Sequence, residues 1–125
     1  MTLTLAHGRR AEIVDLAPAI HRQRLVIEGL VVEAIEADVI AAYLSQLSDV
    51  LGMRALIDPI THRSDTYGWS GWIHWETSGA HFYAWETPQL FFSVDVYACK
   101  PFEAASAVAF TQQFLRATTV VFSEL

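Results

Sequence analysis

Hydroxyl, thiol, imidazole and carboxyl side chains recur at alternating positions in the middle of the chain. With a period of two residues, one strand face carries Ser70, His74, Glu76 and Ser78. In the same way, one face of a second strand carries Ser93, Asp95, Tyr97 and Cys99. Nucleophiles on the same side of two neighbouring strands predict a reactive surface.

The elements that position these side chains follow from the spacing of apolar residues. Strands are predicted at 24–34, 54–60, 68–78, 81–85, 90–99 and 118–122, with a turn at Gly79 between the third and the fourth. One helix is predicted from Asp38, as its cap, to a stop at Gly52, and a second from Pro101 over 101–115. This order predicts an α+β fold in which an antiparallel sheet carries both helices on one face. The other face is left for a ligand or a partner.

Length, charge and cysteine content limit the function. A chain of 125 residues predicts one domain, here 23–125, preceded by an N-terminal extension at 1–22. The net charge of −6 argues against nucleic acid and favours a cationic small molecule. The single cysteine excludes an internal disulfide. With no apolar run long enough for a membrane span and no export signal, we expect a cytoplasmic protein without a membrane partner.

Apolar residues make up 53% of the chain, more than a small domain readily buries in its own core. Such an excess favours an oligomer interface, and we expect a homodimer through the sheet or an aromatic surface. Several aromatic side chains, Trp72 among them, are also candidates to stack on a flat or cationic ligand.

The order of motifs from about Arg24 to the C-terminus resembles the short bacterial and archaeal S-adenosylmethionine decarboxylase proenzymes. The motifs are His62-Arg63, Tyr67-Gly68-x-Ser70-Gly71, Ser78, Trp85 and Asp95-Val96-Tyr97-x-Cys99. The resemblance implies self-cleavage before a serine, which leaves a pyruvoyl group at the new N-terminus. That group then takes up electrons as carbon dioxide leaves the substrate.

The resemblance also assigns roles to residues of this chain. Ser78 falls at the processing position, Ser70 at the serine that assists processing, and Cys99 at the proton donor of decarboxylation. Glu28 falls near an acidic residue of the substrate pocket, and Glu86 stands for the glutamate that binds ribose. The function implied is a pyruvoyl-dependent decarboxylase of S-adenosylmethionine or a related cationic amino acid, in polyamine (spermidine) biosynthesis.

Four positions depart from the family pattern. Thr77 stands before the processing serine, where the family commonly has glutamate. Gly79 and Tyr83 stand where the family has histidines, and Ser64 stands where it has an aromatic residue that stacks on adenine. A phenol is a poor proton acceptor at neutral pH, so His74 or His81 is the candidate base for processing. The alternative is an uncleaved, inactive homologue that binds a small molecule or regulates a partner decarboxylase.

A metal-dependent enzyme is a third class. Its ligands would come from His62, His74, Glu76 and His81. The pair His74-x-Glu76 is similar to a zinc deaminase motif, but that motif also needs paired cysteines, and this chain has one cysteine. We therefore expect no metal site.

Overall fold

The computed structural model describes residues 2–3 and 14–125. Within these residues the elements run β1 (Thr2–Leu3), β2 (Gln23–Leu30), α1 (Ala37–Val50), β3 (Ile60–Arg63), β4 (Trp69–Trp75), β5 (Ser78–Trp85), β6 (Phe91–Ala98), α2 (Ala104–Leu115) and β7 (Thr119–Glu124).

The described strands form one sheet in the order β1-β7-β2-β6-β5-β4-β3. β1 pairs with β7 in parallel, and the other pairings are antiparallel. The predicted fold, an antiparallel sheet with two helices, is confirmed. β1 belongs to the predicted extension at 1–22, so this part of the extension pairs with the chain's own sheet.

One face of the sheet is buried beneath the helices, as strict alternation along the strands requires. On β6 the predicted core face is confirmed, because Phe92, Val94, Val96 and Ala98 are all fully buried. The largest fully buried side chain is that of Trp75 on β4. Its indole N–H donates to the Ser48 hydroxyl of α1 at 2.7 Å, which fixes the helix against the end of the strand.

The helices meet each other through a buried polar contact. The hydroxyls of Tyr43 on α1 and Thr111 on α2 lie 2.6 Å apart, and Thr111 also donates to the Ala107 carbonyl at 2.7 Å. Burial raises the pKa of Tyr43 above its usual value, so the phenol stays neutral. The rings of Phe110 and Phe114 pack against Tyr43.

Several predicted boundaries are wrong. The strand predicted at 54–60 is a loop with a single bridge from Ala55 to Trp75, and regular pairing begins only at Ile60, after Pro59. Proline has no N–H to donate, which suits a position before a strand rather than within one. The first predicted strand, 24–34, ends at Leu30.

The helix ends also differ in part from the prediction. Asp38 lies inside the first turn of α1, where its carboxylate accepts from the Val39 N–H at 3.0 Å; the residue before the helix is Glu36. Gly52 ends α1 with φ +67°, as predicted. α2 begins at Ala104 rather than at Pro101. No helix among the described residues is long and apolar enough to cross a membrane.

We expect Tyr43→Phe to lower the free energy of unfolding by about 1 kcal/mol, because it removes one buried hydrogen bond. Thr111→Val should cost more, since it leaves the buried Tyr43 hydroxyl without a partner. Urea denaturation measures both. The exposed Tyr83→Phe is the control and should change little; equal effects at Tyr43 and Tyr83 would contradict the prediction.

Candidate functional site

The face of the sheet opposite the helices, here called the outer face, carries most of the predicted site residues. Cross-strand register aligns them in three rows. The first row holds Glu28, Ser93, Tyr83, Ser70 and His62. The second holds Val26, Asp95, His81, Trp72 and Ile60. The third holds Arg24, Tyr97, Gly79 and His74.

The position of Ser78 differs from the prediction. The turn after β4 falls at Glu76 and Thr77, not at Gly79, so Ser78 opens β5 directly opposite the buried Trp75. Ser78 therefore does not continue the face of Ser70 and His74. Its φ of +134° is rare for a residue with a side chain, and this departure from the regular pleat leaves Ser78 half-buried.

A groove of about 420 Å³ crosses the outer face beside Ser78. Its lining residues are Arg24, Trp72, His74, Ser78, Gly79, His81, Asp95 and Tyr97. The Trp72 ring centroid lies 5.9 Å from those of His74 and His81. The structure thus brings Ser78 together with both candidate bases and with the predicted ligand-stacking residue Trp72.

Of the two histidines, His74 is the closer in register to Ser78. His74 is paired directly with Gly79, the next residue after Ser78, whereas His81 lies three residues along β5. Both histidines are exposed and line the groove.

The amide bond between Thr77 and Ser78 has a specific partner on the neighbouring strand. The backbone N–H of Cys99 donates to the Thr77 carbonyl oxygen at 3.0 Å. Cys99 is an exposed free thiol one residue beyond the end of β6, and Ala98 pairs with Ser78. Cys99 and Ser78 are therefore neighbours, as the resemblance implies.

Ser70 and Tyr83 are not close to Ser78. They pair with each other across β4 and β5, five residues along the strand from Ser78. At the rise of an extended chain this is about 17 Å, far beyond hydrogen-bond reach. The Ser70 hydroxyl instead donates to the His62 carbonyl at 3.4 Å. Glu28, in the same row, accepts from Ser93 at 2.9 Å.

Glu86 is engaged by another side chain. Both of its oxygens accept from Arg63, at 3.0 and 3.2 Å, and the Arg63 guanidinium carbon lies 5.8 Å from the centre of the Trp69 ring. The hydrogen bonds from Arg63 hold the pKa of Glu86 below its usual value. Its predicted role, binding ribose, would require this pair to open.

Arg24 lines the groove but was not predicted from the sequence as a site residue. Its guanidinium carbon lies 4.6 Å from the centre of the Tyr97 ring, a cation–π geometry. Alternation along β2 offered a signal, because Arg24, Val26 and Glu28 must share a face. No group of three or more histidine, cysteine or acidic side chains suited to a metal ion occurs within the described part of the chain.

The fold agrees with the comparisons to known proteins. The profile of the S-adenosylmethionine decarboxylase family matches residues 12–125, and the chain belongs to this family. The crystal structure of the adenosylmethionine decarboxylase from Aquifex aeolicus superimposes with a TM-score of 0.71 at 14% identity. That match covers 85% of this chain and 89% of the Aquifex chain. No curated protein sequence matches.

The Arg63–Glu86 pair predicts a pH dependence of stability. Because the pKa of Glu86 is lowered in the folded chain, the pair stabilises the fold at neutral pH, and this contribution is lost as the carboxylate is protonated in acid. We expect Glu86→Gln to be less stable than wild type at pH 7 in urea denaturation, and the difference to shrink as the pH falls below the usual pKa of a glutamate. Glu76→Gln is the control, because the Arg54–Glu76 pair is longer, at 3.8 Å, and more exposed. A difference that persists in acid would contradict this assignment.

Proposed function

We propose that the chain is a precursor that cleaves itself between Thr77 and Ser78 and becomes a pyruvoyl-dependent decarboxylase. Its substrate would be S-adenosylmethionine or a related amino acid, in cytoplasmic polyamine biosynthesis. Beside the family match, the observation that carries the proposal is the geometry of this bond. A serine with φ +134° follows a carbonyl that already accepts a hydrogen bond, at the edge of a groove.

The backbone of Ser78 favours rearrangement of the bond. A positive φ costs a serine about 1–3 kcal/mol, which the folded chain stores at this residue. In the first step the Ser78 hydroxyl attacks the Thr77 carbonyl carbon, the C–N bond breaks, and an ester forms. Negative charge develops on the Thr77 oxygen, where the Cys99 N–H already donates. Such a donor stabilises an oxyanion that forms there.

A base must next remove a proton from the α-carbon of Ser78. His74 is the candidate in the same chain, because it is paired with the neighbouring Gly79 and lines the same groove. The ester C–O bond then breaks, Thr77 leaves as a carboxylate, and water converts the dehydroalanine that remains into the pyruvoyl group with release of ammonia. The pyruvoyl group, once formed, supplies an electron acceptor for decarboxylation. Ser78 and the adjacent Thr77 carbonyl are the two groups that its formation requires. Cys99, whose backbone N–H donates to the Thr77 carbonyl, is the proposed proton donor to the product.

A homodimer would give Ser70 and Tyr83 a role that they cannot have within one chain. Both lie about 17 Å from Ser78 along the sheet. A two-fold axis across the outer face brings the distant end of one sheet over the groove end of the other. Neither helix covers this face, and it carries Trp72, Tyr83 and Trp85. We therefore propose that Ser70 and Tyr83 of a second copy complete each groove.

One observation favours the alternative function, an uncleaved homologue that binds a small molecule or a partner decarboxylase. The family places histidine where this chain has Gly79, and the structure leaves no space for it. A Cβ added to Gly79 would overlap the carbonyl oxygen of Ile73. A chain without this imidazole and with a phenol at residue 83 would then keep the groove but not the reaction.

Intact mass after purification tests cleavage. We expect two fragments, residues 1–77 and 78–125, the second blocked by pyruvate. Ser78→Ala should give a single intact chain, and His74→Ala should slow cleavage at least tenfold, the scale of a lost general base. A wild-type chain that stays intact on long incubation would exclude the decarboxylase and support the alternative.

Ser78→Gly is the matched control for the strained backbone. It also lacks the hydroxyl and should not cleave, but glycine accepts φ +134° at little cost. We expect it to be more stable than Ser78→Ala by about 1 kcal/mol in urea denaturation. Equal stabilities would show that strain at Ser78 does not assist the reaction.

Mixed dimers test the second-copy assignment. Ser70→Ala alone should cleave slowly, and Ser78→Ala not at all. When the two variants are coexpressed, Ser78→Ala supplies an intact Ser70 to the groove of its partner. We therefore expect cleavage of the Ser70→Ala chain to recover in the mixture, as measured by intact mass. No recovery, or a monomer in analytical ultracentrifugation, would contradict the assignment.

A further inference from the structure

Among the described residues that line the groove, Arg24 is the one that carries a guanidinium or ammonium group. It lies over the Tyr97 ring, and its side chain makes no hydrogen bond or ion pair to residues 14–125. A guanidinium on an aromatic ring keeps its N–H donors available at the edge of its plane. Those donors match the two oxygens of a carboxylate.

The position of Arg24 relative to Ser78 limits what it can bind. Arg24, Tyr97 and Gly79 are adjacent in one row, so Arg24 lies two strands from Gly79, or about 10 Å between backbones. The arginine side chain spans part of this distance. A small amino acid whose amine is beside residue 78 spans the rest.

We infer that Arg24 determines specificity and that the groove takes an amino acid whose side chain ends in a carboxylate, such as glutamate or aspartate. As a substrate class this rests on the proposed function. As a binding preference it does not, because the groove and Arg24 are both present in the uncleaved chain.

Arg24 would bind the side-chain carboxylate, not the α-carboxylate. A guanidinium on the α-carboxylate would stabilise the ground state more than the transition state, in which that charge is lost, and would slow decarboxylation. The two walls of the groove differ accordingly. Arg24 and Tyr97 lie on one side of Gly79, and His74 and Trp72 lie on the other. The α-carboxylate would therefore lie on the side of His74 and Trp72.

The local charge, not the net charge, decides this preference. The chain carries a net charge of −6, which alone favours a cation. Asp95 is the one carboxylate that residues 14–125 contribute to the groove, and it is directly opposite His81 and two residues from the row of Arg24. The His81 imidazole therefore lies between Asp95 and Trp72. Arg24 is the charged group in the row of Gly79, which is the row nearest Ser78.

Isothermal titration calorimetry on the Ser78→Ala chain tests binding without any reaction. Glutamate and glutamine have the same shape and differ in charge, so they are the matched ligands. We expect glutamate to bind about ten- to a hundredfold more tightly than glutamine, the scale of a charged hydrogen bond. Arg24→Gln, added to this chain, should remove the difference, and Arg24→Lys should restore part of it.

Ornithine and S-adenosylmethionine are the competing ligands. Equal binding of glutamate and glutamine, or tighter binding of ornithine, would overturn the inference. Carbon dioxide release by the wild-type chain separates this result from the proposed function. Release from S-adenosylmethionine but not glutamate would refute the inference and keep the decarboxylase. Arg24-dependent glutamate binding by a chain that never cleaves would keep the inference and refute the decarboxylase.

Discussion

The hydrogen bond between the Trp75 indole and the Ser48 hydroxyl fixes the position of the candidate site. Trp75 is the last residue of β4 and is fully buried, and Ser48 itself donates to the Leu44 carbonyl within α1. Because β4 is held to the helix at its final residue, the chain must turn immediately afterwards. Ser78 is then the first residue of β5, and the Thr77 carbonyl lies opposite Cys99.

The sequence predicts the layers of the fold well, because burial imposes a period that a sequence can show. The alternation in β6 appears in the structure at the predicted residues, and α2 buries Ala107, Val108, Thr111 and Leu115 along one side. The turn at Glu76 and Thr77 could not be predicted in this way. Gly79 is the stronger local turn signal, and the contact that overrides it joins residues 27 positions apart.

The strand predicted at 54–60 is wrong for a related reason. Those residues are apolar enough for a strand, but apart from the single bridge at Ala55, regular pairing with β4 starts only at Ile60. An apolar segment at a sheet edge pairs only where the neighbouring strand is in reach, so the paired part depends on the position of that strand. No local pattern contains that information.

For the candidate site, the sequence predicts only part of the face that the side chains share. Ser70, His74, His81 and Tyr83 are all on the outer face, in agreement with the period of two. Ser78 was predicted on the same face but opens β5 opposite the buried Trp75, because the hairpin turns at Glu76 and Thr77. Arg24 was missed because its significance depends on Tyr97, a neighbour on a strand distant in sequence.

The close approach of the two strands at Gly79 also limits how this chain can change over evolutionary time. The carbonyl oxygen of Ile73 occupies the space that any side chain at residue 79 would need. A single substitution to histidine would therefore carry an immediate folding penalty. A side chain at residue 79 becomes tolerable only with compensating substitutions that widen the hairpin, so the identity of this residue is coupled to that of its neighbours.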